Sequence, residues 1–76
     1  MATRVELDAR GLKCPLPVLR ARKAMQPLAE GDVLVVLATD PGAAADLRAF
    51  CDTTGHRWIG AREEGGVTAV EIAKMA

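Results

Sequence analysis

The chain opens on a short alternation. In "TRVELDA", Val5, Leu7 and Ala9 fall on one side and Glu6 and Asp8 on the other, the period-two pattern of a half-buried strand. From Pro15 to about Gln26 the period lengthens. Val18, Ala21, Met25 and then Leu28 recur at helical spacing, while Arg20, Arg22 and Lys23 fall elsewhere. Pro27 and Gly31 close this helix and its exit loop. "DVLVVLATD" is a continuous valine-rich run, too short for a good helix and apolar on both faces, which predicts a central strand. "DPGAAADLRAFCDTTGH" predicts a second helix, with Asp40 as N-cap and Pro41 at the first helical position. Ala43, Leu47 and Phe50 give it an inward stripe, and Gly55 stops it. "HRWIGARE" and "VTAVEIAKM" are two more strand patterns, joined by a hairpin turn at Glu64, Gly65 and Gly66.

The predicted fold is an α/β (α+β) two-layer sandwich in the order β-α-β-α-β-β. Right-handed crossovers place both helices on one face of the sheet when the strands they join keep one lateral direction. The other face is then uncovered, and Trp58, Ile59, Val70 and Ile72 must divide between the two. An exposed apolar sheet face would mark a partner surface.

Length and composition narrow the class. The 76 residues form a single domain, 1–76, with no room for a second. A chain this short buries roughly 60% of its unfolded surface, so its stability is modest. Two cysteines and no signal sequence do not make a disulfide framework. "MATRVELDAR" carries charges at Arg4, Glu6, Asp8 and Arg10, so nothing in it directs the chain to export or a membrane. No stretch approaches the ~18 apolar residues of a spanning helix. The expectation is a cytoplasmic protein with both thiols reduced.

The formal net charge is zero, but it is unevenly placed. Through Ala24, six basic residues (Arg4, Arg10, Lys13, Arg20, Arg22, Lys23) face two acidic ones, Glu6 and Asp8. The remainder carries four basic and eight acidic residues. A neutral chain is a poor non-specific nucleic-acid binder, and a single Trp58 offers little stacking surface. The basic first third either meets an acidic protein surface or a small sulfur anion, or is an ordinary solvated helix face.

The candidate chemistry lies in "RGLKCPLPVLRARKAM". Pro15 pushes Cys14 toward extended geometry, which suits an N-cap, and itself suits the first helical position. Pro17 falls at the third position, where its missing donor costs the helix nothing. The prolines therefore start the helix, leaving Leu16 and Val18 as the free N–H groups of its first turn, with the Leu16 N–H close to the Cys14 sulfur and the positive helix pole beneath it. This reading predicts a thiol pKa below the ordinary value, with Lys13 acting in the same direction. A persulfide, anionic on its outer sulfur, fits the same place. No Cys/His couple, Ser/His/Asp set or Gly-rich phosphate loop accompanies the cysteine, which points to a carrier that receives chemistry from a partner.

"LDARGLKCPLPVLRARKAM", "GDVLVVLATDPGAAADLRAFCDTTGH" and "EEGGVTAVEIAK" resemble the TusA (SirA-like) family of sulfur-carrier proteins, from about Leu7 to Lys74. The resemblance rests on a cysteine in C-P-x-P after "LD..G", with "DP" and "GH" landmarks downstream. It implies two helices on one face of a mixed four-stranded sheet. It implies too that Cys14 takes sulfane sulfur as a persulfide from a cysteine desulfurase or rhodanese-like donor and relays it to an acceptor protein. In the family that relay serves tRNA 2-thiouridine synthesis, molybdenum-cofactor synthesis or sulfur oxidation, with some members linked to selenium, and the motif does not choose among them.

Around Cys14 the supporting residues are Pro15, Pro17, Leu16 and Lys13, and Arg20 and Lys23 are candidates for orienting an acidic partner. Cys51, one turn beyond Leu47, reads as a packing thiol, and His56 as a structural histidine. Two isolated cysteines and one histidine lack the spacing of zinc ligands, so neither metal nor cofactor is expected. A monomer that docks briefly with larger proteins fits a carrier. Two other classes compete: a regulatory or interaction module working through the open sheet face, and a Cys14/Cys51 dithiol redox protein.

Overall fold

The computed structural model describes residues 3–75, so Met1, Ala2 and Ala76 of the expected 1–76 domain lie outside it. The elements are β1 (Arg4–Ala9), α1 (Leu16–Met25), β2 (Val33–Ala38), α2 (Ala43–Thr54), β3 (Arg57–Glu64) and β4 (Val67–Ala73). The strands form one mixed sheet in the order β1-β2-β4-β3. β1 and β2 are parallel, and β4 runs antiparallel to both of its neighbours. β2 and β3 are therefore parallel to each other across β4, so each helix is a crossover between parallel strands and both cover the same face. The predicted order and layering hold.

The core is the inward alternation of the strands against two helical stripes. Ala9, Leu34, Val36, Val70 and Ile72 are fully buried beneath Ala21, Met25, Leu47, Phe50 and Cys51. On α1 the buried set is Pro17, Ala21 and Met25, a spacing of four. On α2 it is Ala43, Leu47, Phe50 and Cys51. The continuous apolar run of β2 is buried as its central place demands. Gly55 ends α2 at a φ of 83°, the left-handed conformation a helix stop of this kind requires. Gly65 and Gly66, at φ 59° and 82°, make the two-residue hairpin loop between β3 and β4.

The four apolar residues that had to divide between the faces do so unevenly. Val70 and Ile72 are buried, Trp58 packs against the core, and Ile59 is exposed. Ile59 lies at a register shift between Trp58 and Gly60, where the bulge frees it from the alternation. The open face is not an apolar surface. Arg4, Glu6, Arg62, Glu64 and Glu71 stand around a depression of about 230 Å³. They roof it closely enough that Val35, at its floor, is 6% exposed. Arg4 and Glu71 meet across it at 2.8 Å.

Both helices begin later than the sequence suggests. Pro15, not Cys14, is the N-cap of α1, so Leu16 takes the first helical position and Pro17 the second. Gly42, not Asp40, caps α2. In each case a tight turn precedes the helix and uses donors that a one-dimensional reading assigns to the cap.

Candidate functional site

Ala9 and Ala38 are register partners at the C-terminal ends of the parallel strands β1 and β2. The two loops that leave these ends run side by side at the carboxyl edge of the parallel pair. The Gly11 N–H donates to the Thr39 hydroxyl at 2.9 Å and ties one loop to the other. At the root of the first loop, Asp8 receives Arg10 in a two-pronged pair, at 2.8 and 3.0 Å. The Arg10 side chain lowers the Asp8 pKa to about 2, with the Arg10 backbone N–H adding in the same direction.

Cys14 stands at the tip of this first loop and is exposed. The Leu16 N–H donates to the Lys13 carbonyl at 2.8 Å, closing a β-turn from Lys13 to Leu16 with a cis Cys14–Pro15 peptide inside it. Pro15 keeps a capping role, since its carbonyl accepts the Leu19 N–H at 3.1 Å. Pro17 is fully buried and anchors the first turn of α1, leaving Lys13, Cys14, Pro15 and Leu16 on the surface. The prolines do organise the start of this helix. They do it one residue later than expected, and the Leu16 N–H is not free for the sulfur.

The second loop brings acid to the thiol. Asp40 Oδ2 accepts from the Gly42 N–H at 3.1 Å, and its backbone carbonyl accepts from Ala43 at 3.1 Å. A Cβ added at Gly42 would lie 3.3 Å from Asp40 Oδ2 and 4.0 Å from Asp46 Oδ2, so both carboxylates border one small gap at the start of α2. The Cys14 pKa is raised above that of ordinary cysteine. Asp46 as hydrogen-bond acceptor for the thiol is the main cause, followed by loss of hydration and the charges of Asp46 and Asp40. This reverses the expectation of a depressed thiol. The first-turn amide expected to hold a thiolate is occupied by the Lys13 carbonyl, and the charges that act on the thiol are those of Asp46 on α2 and Asp40 in the loop before it.

Asp46 is the residue that sequence reasoning missed. Its signal is modest: an acid in the first helical turn after the second parallel strand, preceded only by Gly42, Ala43, Ala44 and Ala45. Those small side chains leave room for a neighbouring loop to approach.

The other candidates separate. Cys51 is 3% exposed, in the core, and burial pushes its thiol up. Neither cysteine is bridged. Leu16 and Leu19 are 43% and 53% exposed beside the Cys14 loop and form an apolar rim. Arg20 and Lys23 are exposed and line, with Leu7 and Ala24, an open groove between α1 and β1 that does not include Cys14. His56 accepts the Met75 N–H on Nδ1 at 3.2 Å and stacks at a tilt on Phe50, a structural placement. Among the described residues no three His, Cys, Asp or Glu side chains are grouped to hold a metal ion. Among the described residues no helix is long and apolar enough to cross a membrane.

The geometry can be set beside known proteins. The family model described as "Sulfurtransferase TusA" matches residues 5–74. A Neisseria meningitidis serogroup A protein, provisionally named a sulfur carrier protein, is 59% identical over 66 residues, 87% of this chain and 89% of its own. Sulfur carrier protein TusA of Allochromatium vinosum is 52% identical over 61 residues, 80% of each chain. A crystal structure of a SirA-like protein from Desulfitobacterium hafniense superposes with a TM-score of 0.83 at 31% identity, covering 95% of this chain and 99% of that one. With an exposed cysteine ahead of its first helix and a family match over residues 5–74, the chain belongs to the TusA family of sulfur carriers.

Proposed function

We propose that Cys14 is the residue on which this sulfur carrier holds its cargo, as a Cys14 persulfide. The observation that carries this reading is the contrast between the two thiols: Cys14 is exposed at the tip of a loop, and Cys51 is buried in the core. A carrier must offer its sulfur to one protein and then to another, and a protruding loop tip suits both encounters. A dithiol mechanism has little to support it, because Cys51 would have to leave the core to meet Cys14.

The surroundings suit docking. Leu16 and Leu19 give an apolar rim, Lys13 adds positive charge on the Cys14 loop, and Arg20 and Lys23 add it along α1. Such a surface matches a partner with an apolar patch edged by acidic residues. The donor in this reading is a cysteine desulfurase or a rhodanese-like protein, and the acceptor is another protein of a sulfur relay. Pro15 and Pro17 hold the loop, and the Lys13 carbonyl closes its turn. The chain acts as a monomer in the reducing cytoplasm, without direct nucleic-acid contact. A thiol kept protonated resists stray oxidants there, since the thiolate is the reactive form.

The test is mass spectrometry after incubation with a cysteine desulfurase and cysteine. One sulfur atom should add at Cys14. Cys14→Ser should abolish the adduct and Cys51→Ser should leave it. An adduct that survives Cys14→Ser rejects the assignment.

A further inference from the structure

β1 is an edge strand, and one bond tells which of its backbone groups face outward. The Val33 N–H donates to the Thr3 carbonyl at 2.8 Å, so the backbone of Thr3 points at β2. Along a strand the N–H and C=O of one residue point the same way, and the direction alternates from residue to residue. Val5, Leu7 and Ala9 therefore bond β2, while the N–H and C=O groups of Arg4, Glu6 and Asp8 point away from the sheet. All three residues are exposed, and among the described residues no loop or side chain bonds these outward groups.

The other edge is guarded. β3 has a bulge between Trp58 and Gly60 and carries Arg57, Arg62, Glu63 and Glu64, devices that deter strand pairing. β1 is regular over its six residues, and two of its three charges are already neutralised, Arg4 by Glu71 and Asp8 by Arg10. Over its helix side lies the open groove of Leu7, Arg20, Lys23 and Ala24. Arg22, by contrast, lies over the Phe50 ring at 5.5 Å, toward α2, so the groove follows the other flank of α1. It holds two cations and no acid, and neither cation belongs to an ion pair among the described residues.

We infer that the free edge of β1 is a docking site for an extended acidic segment of a partner protein, which joins the sheet as a fifth strand. The outward amides and carbonyls recur about every 6.6 Å, a spacing that another extended chain matches with both acceptors and donors. A small anion answers the cations and leaves the carbonyls unpaired. On the helix side, the added strand sets an apolar side chain on Leu7 and Ala24 and acids against Arg20 and Lys23. On the open side it meets Glu6, which belongs to no ion pair among the described residues and favours a lysine or arginine opposite. A second copy of this chain fits badly. Its own β1 brings Val5, Leu7 and Ala9 to the helix side and leaves Arg20 and Lys23 unanswered. The inference does not depend on Cys14 carrying sulfur.

The experiment uses the isotope-labelled full chain and a blocked peptide, Thr-Glu-Lys-Val-Thr-Glu-Thr. Its glutamates and valine share one face, and its lysine lies on the other. In the free protein the Glu6 amide should exchange with solvent quickly, and those of Val5 and Leu7 slowly. With the peptide at about ten times its Kd, exchange at Glu6 should slow about tenfold, with no slowing along β3. Two further peptides carry backbone N-methyl groups, one at the odd positions and one at the even. One of them should bind about tenfold or more weaker, having lost several hydrogen bonds, and the other should bind as before. Loss at the odd positions reports an antiparallel strand, and loss at the even positions a parallel one. Glu6→Pro deletes an edge amide where an edge strand accepts proline and should weaken binding about fivefold, whereas Glu6→Thr keeps the amide and should cost less. Arg20→Glu with Lys23→Glu should weaken it about tenfold at low salt. Equal binding of the two N-methylated peptides, or its loss with both, overturns the inference. So does a Glu6 amide whose protection in the free chain grows with protein concentration, which assigns the edge to a second copy. The peptide measurements use the unaltered protein and decide the matter if Glu6→Pro does not fold. Sulfur loading at Cys14 is read separately, so failure at the edge leaves the carrier assignment standing.

Discussion

The Gly11 amide donates to the Thr39 hydroxyl at 2.9 Å, and this bond joins two loops that meet nowhere else through a side-chain hydrogen bond among the described residues. It sits just past the Ala9–Ala38 register pair, where the backbone ladder of the parallel strands has ended. Its consequence is local. Cys14 lies on one of these loops and Asp40 on the other, which leads into α2 and Asp46, and this bond sets how far the two loops can part.

Thr39→Val tests that relationship. Thr39 is exposed, so the loss should cost no more than about 1 kcal/mol of global stability, the net worth of one neutral hydrogen bond. Exchange of the Gly11 amide with solvent should quicken by far more than a global change of that size would produce. Amide exchange followed by NMR separates the two. An unchanged Gly11 rate would mean that the turn, not the bond, fixes the loop.

The thiols should differ sharply in the native protein. Cys14 is exposed and Cys51 is 3% exposed, so a disulfide reagent should consume one equivalent in the fast phase and the second only on unfolding. The pH dependence of the fast phase has a fixed sign. Negative carboxylates disfavour the thiolate, so its midpoint should lie on the alkaline side of that of a short cysteine peptide. A midpoint on the acidic side would remove Asp46 from the account.

Much of this fold was legible because periodicity reports burial directly. The stripe of Leu47 and Phe50, the run of β2 and the stop at Gly55 all follow from side-chain volume and backbone freedom, which are local properties. The turn at Cys14 was legible for a similar reason: the two prolines that follow it, Pro15 and Pro17, announce a helix start. The helix starts were off by one residue at Pro15 and by two at Gly42, because a turn ahead of each cap uses the same residue types as the cap itself. The sign of the Cys14 shift was out of reach. It depends on Asp46, 32 positions along the chain, and on a loop approach that no local pattern encodes. Charge effects that cross between elements need the topology first.

Lys74 links the end of the chain to the end of the first helix. Its ammonium donates to the Met25 carbonyl at 2.7 Å, which is the last residue of α1, where carbonyls lack intrahelical partners and the dipole is negative. Its own N–H and carbonyl are fixed on Asp32 and Gly31 at 2.7 and 2.8 Å. Lys74→Met keeps the length of the stem and removes the charge. It should cost about 1–2 kcal/mol, from a charged hydrogen bond and a dipole contact together. For a domain of this size that is a fall in Tm of about 5–15 °C, measured by thermal unfolding. A fall under about 2 °C would show the contact to be idle.

The acid side of the stability profile should belong to His56. Its Nδ1 accepts the Met75 N–H at 3.2 Å, which only an unprotonated nitrogen can do. Burial pushes its pKa below the ordinary value, and the nearby Lys74 charge adds to this. The unfolded chain, with an ordinary histidine near 6.5, therefore takes up its proton first as the pH falls. Stability is complete above that value and declines as the pH drops through it toward the lower folded pKa. The carboxylates held low, Asp8 and Asp32, act only below about pH 4 and leave this window clear. Cys14 acts at the opposite end, since a raised thiol pKa removes stability as the pH climbs past the unfolded cysteine value. Urea midpoints should thus fall between pH 7.5 and 5, and His56→Gln should flatten that slope. In Lys74→Met the His56 titration, followed by NMR, should move up toward 6.5 as the neighbouring charge disappears. A slope that persists in His56→Gln would assign the acid sensitivity elsewhere, because no other histidine exists in the chain to carry it.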